Sequence, residues 1–142
     1  MKRSAAALAF ALLATSVASA QSYPDDPGLG TERGVEQVNN SGQVGTVTLF
    51  RRGAATRVVV DLKGTLPGRV QSVRFYRGPS CDDLGTSGPA YFLNDMRNGT
   101  SASTVKAPED KLVSGNYNVV VFSSNTAGAR ATACGHLYAA GG

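Results

Sequence analysis

Gly115-Asn116-Tyr117-Asn118-Val119-Val120-Val121-Phe122 is the stretch whose reading decides the fold. β-Branched and aromatic residues dominate it, and such residues fit a pleated, half-buried surface. A strand turns successive side chains to opposite faces. Tyr117, Val119 and Val121 therefore share one face, and Asn118, Val120 and Phe122 the other. Ser114-Gly115 supplies the turn that opens it.

The same period recurs outward along the chain. In the run 70–77, Val73 and Phe75 point one way and Arg74 and Tyr76 the other, and Gly78-Pro79 ends the run. Residues 44–50 read as a strand stopped by Arg51-Arg52-Gly53, and 57–62 as a strand stopped by Lys63-Gly64. Further strands are expected over 90–93, over 101–106 after the Asn98-Gly99 turn, and over 131–138. Beyond the first residues, no stretch sustains a helical period, and helix is limited to a turn near Pro108-Glu109-Asp110. The expectation is an all-β fold: a Greek-key barrel or sandwich of about seven to eight antiparallel strands with immunoglobulin-like layering.

The N-terminus reads as an export signal. Lys2 and Arg3 precede an uncharged apolar run, and Ala18-Ser19-Ala20 offers a small-residue cleavage site. The apolar run is shorter than the ~20 residues a membrane-spanning helix needs, and no membrane span is expected. The domain expectation is a signal peptide over 1–20, a flexible segment over 21–40 with at most a short edge strand near Val35–Val38, and a β-domain over 41–142. Localisation is expected to be secreted, periplasmic or extracellular, after cleavage near Ala20.

Cleavage takes Lys2 and Arg3 from the 14 basic residues, leaving 12 against 10 acidic ones, a formal charge of +2. That is too small and too scattered for a nucleic-acid interface. The two cysteines of an exported chain, Cys81 and Cys134, read first as one disulfide. Catalytic constellations are poor. Asp82-Asp83 and Glu109-Asp110 are acidic pairs in loops, His136 is the single histidine, and no nucleophile elbow or phosphate loop occurs. Asn39-Asn40-Ser41 and Asn98-Gly99-Thr100 read as turns that also fit a glycosylation pattern.

Read in order, several pieces resemble the copper/zinc superoxide dismutase-like fold and the related CHRD domains of secreted proteins. They are Gly45–Phe50, Leu62-Lys63-Gly64-Thr65-Leu66-Pro67-Gly68, Gly88-Pro89-Ala90-Tyr91-Phe92, Gly115–Phe122, Ala127-Gly128-Ala129-Arg130 and Ala133-Cys134-Gly135. The resemblance implies a bridge from the loop at Cys81 to the last strand at Cys134. It also places the family's metal-ligand histidines on Arg74, Tyr76, Ala90 and Phe122. A charged guanidinium and a phenyl ring cannot take over that role, and copper in such a site needs several imidazoles. The expectation is a metal-free, cofactor-free, non-catalytic module with an unidentified protein or envelope partner; the alternatives are a superoxide dismutase-type enzyme with an atypical or partner-supplied metal site, and a small-ligand or carbohydrate-binding domain. Arg130 resembles the family's anion-guiding arginine, displaced by one position. By the resemblance Arg74, Tyr76 and Phe122 should cluster on one outer surface, as a structural patch or as a recognition patch.

Overall fold

A computed structural model of the chain describes residues 30–138. The expected signal peptide, its cleavage site and residues 21–29 lie outside the described residues. The elements are β1 (Thr31–Gln37), β2 (Val44–Arg52), β3 (Ala55–Lys63), β4 (Val70–Gln71), β5 (Val73–Arg77), β6 (Pro89–Phe92), β7 (Met96–Arg97), β8 (Thr100–Val105), α1 (Glu109–Ser114), β9 (Tyr117–Phe122) and β10 (Ala131–His136). All pairings are antiparallel, and the strand order is β4-β7-β8-β3-β2-β1-β10-β9-β5-β6. The sheet curls into a half-barrel.

Alternation explains what the curl encloses. β3 buries Val58, Val60 and Leu62, and β8 buries Ser101, Ser103 and Val105, with exposed or half-exposed residues between. Val47 and Leu49 of β2, Val73 and Phe75 of β5, and Tyr117, Val119 and Val121 of β9 meet them in one core. α1 closes one end through the buried Leu112. Glu109 anchors that helix: its carboxylate pairs with Arg51 at 3.0 Å and accepts a hydrogen bond from Thr31. Glu109 of the acidic pair and the arginine at 51 thus find a structural explanation.

Three expectations need correction. Within the segment 21–40, expected to be flexible, residues 31–37 form β1. It is not an edge strand. Residues 31–35 pair with β2 and residues 36–37 with β10, so it joins the two halves of the curl. Its polar sequence hid it, since of its seven residues only Val35 is buried.

The number of strands is also higher than expected. The run 70–77 breaks at the buried Ser72 into β4, which pairs with β7, and β5, which pairs with β9. The backbone of Ser72 bonds instead to Ser124 and Phe122. At this break the chain passes from one half of the curl to the other. β7 went unread because two residues carry no detectable period.

At the Ser72 crossing sits a buried amide hub. Gln71 donates to the side chain of Gln43 at 2.9 Å and to the carbonyl of Phe122 at 2.8 Å. Among the described residues no buried side-chain nitrogen or oxygen lacks a partner, as a well-formed interior requires.

Candidate functional site

β5, β9 and β6 lie side by side, with Arg74 in register with Val120 on one side and Phe92 on the other. Period-two alternation sends Arg74, Tyr76, Phe92 and Phe122 to the outer face, away from Phe75 and Val121 in the core. Tyr76 and Phe122 meet with ring centroids 6.2 Å apart, tilted by 55°, within the range of favourable aromatic pairs. The guanidinium carbon of Arg74 lies 5.2 Å from the Phe122 centroid and 5.3 Å from that of Phe92. Arg74, Tyr76 and Phe122 are thus brought together. Phe92 joins them and stays 72 % exposed. Its membership was not read from the sequence. The available signal was its place two residues after Ala90, on an edge strand facing Arg74.

Each exposed cation–π contact contributes only about 0.5–1 kcal/mol. The arrangement therefore matters less for stability than for what it presents. Arg74 has no hydrogen-bond or ion-pair partner among the described residues. Its N–H donors sit between two rings and face outward unpaired. The exposed Arg130 does not join this patch: it lines a separate cleft with Asn39, Gln43, Arg69 and Thr132.

The rest of this outer face is roofed. Val120 and Asn118 have no exposed surface although they point away from the core cluster. The cover is the loop 78–88, tied down by a disulfide between Cys81 and Cys134 with Cα atoms 6.0 Å apart. Asn118 donates to the carbonyl of Gly78 at 2.9 Å, and its side-chain oxygen meets Nδ1 of His136. The Tyr138 hydroxyl donates to the carbonyl of Pro79 at 2.9 Å, and its ring lies 5.0 Å from the imidazole. His136 is therefore a half-buried member of the roof's anchorage.

No protein-family model, curated protein or solved structure matches this chain. The site is therefore argued from its own chemistry. Among the described residues no group of three or more His, Cys, Asp or Glu side chains could hold a metal ion. Arg74, Tyr76, Ala90 and Phe122 offer one guanidinium and one phenol but no imidazole, a donor set that does not fit copper or zinc.

A second polar cluster lies where β5 ends and β9 begins, and sequence reasoning missed it. Nη2 of Arg77 donates to the Tyr117 hydroxyl at 2.7 Å, with the guanidinium carbon 5.2 Å from that ring's centroid. Tyr91 packs against Tyr117 at 5.8 Å. The hydrogen bond from Arg77 pulls the Tyr117 hydroxyl below the ordinary phenol range. Burial first, and the Tyr117 hydroxyl second, push Tyr91 up. A spectrophotometric tyrosinate titration is expected to resolve one early and one late phenol. Arg77→Gln removes the early one; an unchanged curve in that variant contradicts the assignment.

Proposed function

We propose that this chain is an exported, non-catalytic binding module on a superoxide dismutase-like or CHRD-like Greek-key barrel without a metal. It acts in the periplasm, at the envelope or outside the cell. Its recognition surface is the patch of Arg74, Tyr76, Phe92 and Phe122, and its partner is a protein offering a carboxylate to Arg74 and apolar side chains to the rings. The observation that carries this reading is the unpaired guanidinium held between two rings on an exposed sheet face. Arginine and aromatic residues are the types that dominate binding energy at interfaces. The positive charge of Arg74, which has no ion-pair partner among the described residues, favours an acidic partner over a second copy of the same face, which would bring like charges together. Export is supported by the N-terminal pattern together with the disulfide, a bond that persists in oxidising compartments.

The test compares the wild-type chain with an Arg74→Ala/Tyr76→Ala variant. Both are immobilised and exposed to envelope extract, and the captured protein is then purified and titrated. The variant is expected to weaken that interaction at least about tenfold, the loss of one modest hot spot, while remaining folded with only the small loss of stability that the exposed ring contacts account for. Equal affinity for wild type and variant overturns the proposal. A lower melting temperature with equal affinity leaves the patch a purely structural role.

A further inference from the structure

An open cleft of about 450 Å³ lies at the sheet end where β5 leaves and β6 and β9 enter. Its lining includes Arg77, Gly78, Pro79, Ser87, Pro89 and Asn116. The volume falls within the range of small-ligand sites. The wall at 78–79 is built rather than incidental. The Gly78 amide donates to the Asn116 carbonyl at 2.9 Å, and the Gly78 carbonyl accepts from Asn118. A Cβ at Gly78 would come 2.2 Å from the Asp83 carbonyl oxygen, so only glycine permits this close approach. The Tyr138 hydroxyl holds Pro79, and the disulfide pins the loop just beyond.

We propose that this cleft binds a monocarboxylate through Arg77, with an apolar body laid against Pro79 and Pro89. A guanidinium carries five N–H donors in a planar fork. Tyr117 takes one of them, which positions the fork and leaves one two-donor edge intact. That edge matches the two oxygens of a carboxylate. Among the described residues no acidic side chain pairs with Arg77, and the side chains of Ser87 and Asn116 have no hydrogen-bond partner. The free edge of Arg77 and two polar side chains without a protein partner among the described residues therefore line the cleft, together with Pro79 and Pro89. One cation without a lysine or a second arginine suits a singly charged group better than a phosphate dianion. The site is independent of the Arg74 patch, since Arg77 turns to the Tyr117 side of β5 and Arg74 to the Phe122 side.

The carboxylate has two possible sources, a free small organic acid or the C-terminus of a peptide. The experiment is an NMR titration of the ¹⁵N-labelled, disulfide-intact chain with three probes: benzoate, the tripeptide Ala-Ala-Phe, and its C-terminal amide. Saturable shifts at the amides of Gly78, Gly88 and Asn116 are expected with one or both acids and not with the amide. Benzoate alone identifies a small-acid site, and the tripeptide acid alone a peptide-terminus site. Arg77→Gln should weaken the binding at least about tenfold in a chain that remains folded, although it also loses the Tyr117 hydrogen bond. Where that variant fails to fold, the acid-against-amide comparison on the wild-type chain decides. No saturable shift with either acid, equal binding of the amide, or undiminished binding in a folded Arg77→Gln variant overturns the proposal.

Discussion

Removing the Cys81–Cys134 bridge, by reduction or by paired Cys→Ser substitution, is expected to lower the unfolding free energy by about 4 kcal/mol. The two cysteines are 53 residues apart, so the bond closes a long loop in the unfolded chain. On the chain-entropy account that constraint alone supplies the figure. For a domain of this size it corresponds to a melting temperature lower by roughly 15 °C. A native-state contribution adds to it. The bond holds the 78–88 roof over Val120 and Asn118, which have no exposed surface. Without it, the hydrogen bonds left to the loop among the described residues are a few at its start, the Ser80–Asp83 turn and the bond from the Gly85 amide to Asp83. Calorimetry of the reduced and oxidised chains measures the total. Hydrogen exchange locates the local part, with faster exchange expected over 78–88 and at Val120 before the rest of β9. A melting temperature unchanged on reduction would contradict the role assigned to the bond.

Phe75→Ala is the substitution expected to cost most among single side chains, about 3–5 kcal/mol. Phe75 has no exposed surface and stands in register between Val119 of β9 and Tyr91 of β6. Its ring meets that of Tyr91 edge to face, with centroids 6.4 Å apart and planes at 83°. Truncation removes the buried ring and leaves a void that strands fixed on both sides cannot close. The neighbouring Arg74→Ala provides the control. It removes only exposed cation–π contacts, with a cost of about 0.5–1 kcal/mol each. Urea denaturation of the two variants should separate them clearly. If Phe75→Ala is no more costly than Arg74→Ala, the inward and outward faces of β5 have been assigned the wrong way round. Typical domains are stable by only about 5–15 kcal/mol, so Phe75→Ala in the reduced chain is expected to leave little folded protein.

Much of this fold was legible because the period of a strand is local. Val73 and Phe75 against Arg74 and Tyr76, and Tyr117, Val119 and Val121 against Phe122, follow from alternation alone, and the core respects that division. The same alternation put Arg74 and Tyr76 on one face. The resemblance brought Phe122 to them. β1 was not legible, because a strand with one buried residue in seven has no apolar period to read. Its backbone pairing on both sides makes it a strand, and that pairing is non-local.

By itself, then, the sequence determined the all-β class, the inward and outward faces of the long strands, and the two cysteines available for a bridge. These rest on side-chain period and composition, which need no knowledge of neighbours. Only the tertiary structure decided which outward residues are exposed. Asn118, Val120 and Phe122 share a face by period, yet the 78–88 roof covers the first two completely and leaves Phe122 half-exposed. Strand register brought Phe92 beside Arg74, and the junction of β5 with β9 set Arg77 against Tyr117. Register and loop cover depend on residues far apart in the chain, and no short window of sequence encodes them.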